Sequence, residues 1–149
     1  ALPIFYAPML AVAFTVAQDA VQARAKARPK ASKESAALKA RFGGKLPPSL
    51  LGLLQGRFQS GQGWNRVAMQ VALAAHAVGL SESALIEQAR PLIDGHQGDG
   101  SRYRSAKARE DELRHQFSYT LEAGYQFSIG GLKSILPPGV NTRDLRGLS

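Results

Sequence analysis

Three groups of residues in this chain have the types and spacing to act on a polyanion: the turn Trp64-Asn65-Arg66, the cations Arg102, Arg104, Lys107 and Arg109, and a tract carrying Arg24, Lys26, Arg28, Lys30 and Lys33. Guanidinium and ammonium groups supply donors for phosphate oxygens, Asn supplies a directional amide, and Trp offers a face on which a base can stack or a body that anchors a core. Arg66 stands at the expected start of a helix, where a cation opposes the macrodipole and is better accommodated beside an anion.

The side chains that would turn binding into catalysis are missing from this pattern. There is no cysteine among the 149 residues, which removes thiol chemistry and zinc fingers and fits a reducing, cytoplasmic setting. His76, His96 and His115 form no HxH or HxxxH pair, and no metal site is expected. Asp94, His96 and Asp99 share a glycine-rich loop, where a solvated role is expected. Glu110, Asp111 and Glu112 occupy consecutive helical positions, so their carboxylates diverge by about 100° each and read as a solvated surface. A phosphate-cradling loop, a nucleophile elbow and a dinucleotide fingerprint are also lacking.

The charge balance points to the same class of partner. Nineteen Lys and Arg oppose 11 Asp and Glu, a formal +8. Between Arg24 and Lys45 eight cations face Glu34 alone, so this tract supplies nearly all of the excess. Such an excess favours a polyanion.

The elements that must position these residues read as helices. Residues 1–18 are uncharged and slightly short for a membrane span, and are expected to form a buried apolar helix within 1–28, with Pro8 in its first turn. The expectation is therefore of no membrane partner. Pro29 interrupts, a short helix follows over about 34–42, and Gly43-Gly44 ends it, giving a basic linker over 29–46. Pro47-Pro48-Ser49 opens the next helix, with Leu50, Leu51, Leu53, Leu54 and Phe58 as its apolar set. Trp64 to Val78 is almost continuously apolar, the mark of a central helix, and Gly79 suits its C-cap. Ser81 caps a helix over 82–93, which with 64–78 makes a packing hairpin; its Glu82, Glu87 and Asp94 give the wrong sign for a groove-reading helix. A long helix from Tyr103 to Ala123 is expected to turn Leu113, Phe117 and Leu121 inward and Arg102, Lys107 and Arg109 outward. Ser128 caps a last helix over 129–136, and Pro137-Pro138-Gly139 leads to a frayed polar tail over 137–149. The fold expected is all-α, a bundle of five to six helices with its core in 47–136 and a basic, partly flexible segment before it.

The run from Gly61 to Phe117 resembles the helical region that follows the catalytic core in phage and plasmid primases of the archaeo-eukaryotic type. The likeness rests on Gly63, Asn65 and Arg66, the apolar helix after them, the Gly79-Leu80-Ser81-Glu82 hinge, and an arginine-rich helix ending in Phe117 and Tyr119. It spans about 60–136. The resemblance implies a non-catalytic module that helps hold template single-stranded DNA and the initiating nucleotide during primer synthesis. Mg or Mn and the nucleoside triphosphate would then be held by a catalytic domain elsewhere in the parent polypeptide, in a bacterial or phage-infected cell. Asn65 and Arg66, with Arg102, Arg104 and Arg109, are the contacts it implies. Two other readings remain open: a protein-interaction or oligomerisation domain docking through its apolar N-terminal helix, and a membrane-anchored basic domain.

Overall fold

The structure is a computed structural model and describes residues 32–96 and 102–148. Its described elements are helical: α1 (Lys33–Phe42), α2 (Pro48–Leu54), α3 (Trp64–Val78), α4 (Glu82–Gln88), α5 (Arg90–Gly95), α6 (Ala106–Glu122) and α7 (Ile129–Ile135), followed by a 3-10 turn, Arg143–Leu145. The chain folds as a small all-α bundle. The apolar helix expected within 1–28 lies outside the described residues.

α3 is the axis of the bundle and packs against α1, α6 and α7. Trp64, Val67, Ala68, Val71, Ala72, Leu73, Ala74, Ala75 and Val78 are all buried along it, and its four buried alanines let neighbouring helices approach closely. It ends where Gly79 takes φ 81°, with the Leu80 amide donating to the Ala75 carbonyl at 2.9 Å. That left-handed residue with its back-reaching amide is a Schellman stop, for which glycine carries no steric penalty.

α3 and α6 run in the same direction, Trp64 lying beside Arg109 and His76 beside Phe117. α7 runs the opposite way across α3, with Arg66 near Ser134 and Gln70 near Gly131. A Cβ on Gly131 would sit 2.5 Å from Gln70 Oε1, so a side chain there would displace the Gln70 amide.

The helix expected over 82–93 is two helices. Pro91 has no N–H to donate and its ring would strike the carbonyl four residues back, so α4 stops at Gln88 and α5 restarts with Pro91 in its first turn. The hairpin expected between α3 and α4 is not the main packing: both α4 and α5 lie chiefly on α6. α6 itself begins at Ala106 under a Ser105 cap rather than at Tyr103.

The apolar core reaches into both segments expected to lie outside it. In the basic tract, Leu38 and Leu46 are fully enclosed, and Ser32 and Glu34 tie α1 to the start of α7 through the Phe127 carbonyl and the Ile129 amide. The tail expected to fray instead buries Leu145 and Leu148. Asp144 Oδ2 accepts from the Ser49 amide and hydroxyl at 3.0 and 2.8 Å, capping α2. The Arg41 guanidinium holds the Asp144 and Arg146 carbonyls. We call this arrangement the C-terminal clasp.

Candidate nucleic-acid interface

Parallel packing of α3 and α6 sets their first turns side by side at one end of the bundle. This joins the Trp64-Asn65-Arg66 turn to the 102–109 segment, 36 or more residues away in sequence. Two contacts make the seam: Trp64 Nε1 donates to the Arg109 carbonyl at 2.9 Å, and Asn65 Nδ2 donates to Glu112 Oε1 at 2.8 Å.

Within the seam the expected site residues divide sharply. Trp64 is wholly buried, with its ring 4.9 Å from that of His96, and acts as a core anchor with no face left for a base. Arg109, expected to face phosphates, is only 6% exposed. Its guanidinium donates to the Ile93, Tyr103, Arg104 and Asp94 carbonyls, at 2.5, 2.8, 3.0 and 3.3 Å. Four carbonyl acceptors around one planar cation engage four of its five donors and stitch the end of α5 to the start of α6. Arg109 is a structural clamp. The signal was in the spacing: Arg109 shares an i, i+4 stripe with the inward Leu113 and Phe117.

Arg66, Arg102, Arg104 and Lys107 remain exposed. Arg66 reaches only the Ser134 hydroxyl, at 3.4 Å, and the Arg102 guanidinium lies 5.3 Å from the Tyr103 ring centre. None of the four has a carboxylate partner within ion-pair distance among the described residues. The first turn of α3 has Gly63 as N-cap and no side chain capping it, so the positive end of that helix adds to the same field. Lys33 is exposed at the start of α1, while Arg24, Lys26, Arg28 and Lys30 lie outside the described residues.

Of the acids among the described residues, Glu34, Glu82, Glu110, Glu112 and Asp144 are engaged by other residues of the chain, while Glu87, Asp94, Asp111 and Glu122 are exposed. Glu82 and Glu110 share Arg114, at 2.8 and 3.6 Å, and Glu110 also binds Arg90, a network joining α4, α5 and α6. The hydrogen bond from Arg90 holds the Glu110 carboxyl below its usual pKa. Glu112 accepts from Asn65 and Gln116, while Glu34 and Asp144 cap helices. Among the described residues no three of His, Asp and Glu gather as a metal-binding group. No helix among them is long and apolar enough to cross a membrane.

Two features escaped the sequence reading. Arg57 and Arg143 line a common cleft of about 320 Å³ between α2 and the clasp. On α6, His115 stacks on Tyr119 at 5.7 Å, and Tyr119 meets Tyr125 edge-on at 5.6 Å with their hydroxyls 3.2 Å apart. Tyr119 and Tyr125 are 43% and 39% exposed.

No protein-family model, no curated protein and no solved structure matches this chain.

Proposed function

We propose that this chain is a non-catalytic helical module that binds single-stranded nucleic acid at the end of the bundle where the first turns of α3 and α6 meet. The observation carrying this reading is the unequal commitment of charge: Arg66, Arg102, Arg104 and Lys107 stand exposed with no carboxylate partner among the described residues, while Glu82, Glu110, Glu112 and Asp144 are each bound by other residues of the chain. A backbone of regularly spaced phosphates is the ligand that an uncompensated cluster of this kind attracts, and release of its counterions drives the association. The resemblance to primase helical regions narrows the proposal to the template strand in primer synthesis, with nucleotidyl transfer and its divalent metal belonging to another domain. Of the residues the resemblance implies, Arg66, Arg102 and Arg104 keep a contact role and Asn65 positions the seam.

The test is a fluorescence-anisotropy titration with single- and double-stranded DNA over a salt series. Affinity for the single strand is expected to fall steeply between about 50 and about 200 mM salt. Arg66→Ala is expected to weaken it more than Lys39→Ala, a charge on another face. Binding that ignores salt, or that is equally indifferent to both substitutions, refutes the proposal.

The second reading, a protein-interaction domain, is favoured by the exposed His115, Tyr119 and Tyr125 ladder, since aromatic side chains are enriched at protein interfaces. Retained DNA binding in Tyr119→Ala would separate it from the first.

A further inference from the structure

The cleft between α2 and the C-terminal clasp has a chemistry unlike that of the α3–α6 seam. One wall comes from α2 and the turn after it, with Pro48, Arg57 and Phe58; the other comes from the clasp, with Val140, Arg143 and Asp144. Arg57 and Arg143 are exposed, and neither has an ion-pair partner among the described residues. Asp144, the one carboxylate in the wall, directs Oδ2 onto the Ser49 amide and hydroxyl, which satisfy that oxygen. The rest of the lining joins apolar Pro48, Phe58 and Val140 to polar Ser49 and Asn141. The Phe58 ring lies so tightly on α2 that a Cβ on Gly52 would come 2.6 Å from its Cε1. Two guanidinium groups provide forked donors for a dianion, and at about 320 Å³ the space matches a small molecule rather than a strand.

We propose that this cleft binds a small phosphomonoester with an apolar body, its phosphate held by Arg57 and Arg143 and its body against Phe58, Val140 and Pro48. The two walls are some 90 residues apart in sequence and meet only when the clasp is closed, so a ligand bridging them also holds the clasp shut.

Phenyl phosphate is the probe, titrated into the full chain by calorimetry, with inorganic phosphate and phenol as the separate halves. Phenyl phosphate is expected to bind more tightly than either half. The double variant Arg57→Gln, Arg143→Gln is expected to bind it about tenfold more weakly or worse, the loss of two charge-assisted contacts. The double variant Lys39→Gln, Lys133→Gln removes the same charge from exposed positions outside both proposed sites and is expected to leave the affinity unchanged. Hydrogen exchange at Leu145 and Leu148 in the unaltered chain should slow when phenyl phosphate is added. Absence of binding, equal weakening in both double variants, or exchange unaffected by the probe overturns the proposal. None of these results bears on DNA binding at the seam, which uses other residues.

Discussion

The indole of Trp64 donates its N–H to the backbone carbonyl of Arg109 at 2.9 Å, while the side chain of Arg109 turns away to bind four other carbonyls. One residue thus fastens α6 to α3 through its backbone and to α5 through its guanidinium. Everything exposed at that end of the bundle, Arg66 and the 102–107 cations included, is placed by this joint.

Arg109→Gln should therefore act on stability. The two buried acceptors, the Ile93 and Tyr103 carbonyls, cost about 1–3 kcal/mol each when nothing replaces the bond, so a total loss of about 2–6 kcal/mol in chemical denaturation is expected. Arg109→Lys should recover only a minor part, because an ammonium cannot span the same four acceptors. A variant that denatures like the parent but binds DNA poorly would return Arg109 to the phosphate-contacting set.

Asp144→Ala removes an N-cap supplied to α2 by a residue 95 positions away. A lost cap of this kind costs about 1 kcal/mol, and release of the clasp should appear as faster hydrogen exchange at Leu145 and Leu148. Asp144→Asn keeps an oxygen acceptor and should lie close to the parent. Equal loss in the two variants would show that the charge matters more than the acceptor.

Gly52→Ala tests the wall that carries Phe58. The added methyl would meet the Phe58 ring at 2.6 Å, and the ring, half-buried against α2, has to move. Overpacking of this size costs about 1–3 kcal/mol, read as a lower melting temperature. An unchanged melting temperature would mean that the ring swings aside freely.

His76 makes stability depend on pH. Burial lowers its pKa below 6.5, opposed by the hydrogen bond to the Phe117 carbonyl. The folded state therefore prefers the neutral ring, and the unfolded chain takes up its proton first as the pH falls. Stability should be insensitive to this group above about pH 7.5, and should decline from about pH 6.5 downward until the folded ring also protonates. His76→Gln should flatten that part of the profile. Glu110 acts lower: its folded pKa is depressed below 4.5, chiefly by Arg90, so its contribution is present above that value and lost as the pH falls through the folded pKa. A parent profile level from about pH 7.5 to about pH 5.5 would remove His76 from this role.

Local chemistry made much of the fold legible in advance. The Gly79 stop, the Ser81 and Ser128 caps and the apolar body of α3 stand where residue types place them, because each depends on neighbours within a turn or two. The break at Pro91 was equally local, but the continuing apolar pattern of Leu92 and Ile93 masked it. Leu38, Leu46, Leu145 and Leu148 could not be assigned that way. Each stands in a mainly polar stretch without a sustained apolar period, and its burial depends on tertiary packing rather than on its neighbours in sequence. The same limit applies to the candidate site. Charge composition located the cations; the stripe of Arg109, Leu113 and Phe117 already set Arg109 apart, and the carbonyls that receive its guanidinium came only with the packing.

The C-terminal clasp also bears on how the chain acquires its fold. Ser32 bonds to Phe127, Glu34 to Ile129, Ser49 to Asp144 and Arg41 to Arg146, at separations of 95 to 105 residues. Helices such as α3 can form within about a microsecond, but contacts of this reach must first meet the entropy of closing a long loop. During synthesis, α1 and α2 leave the ribosome well before the residues that hold them in place. The bundle should therefore complete itself only after Leu148 has emerged, in one late cooperative step rather than helix by helix.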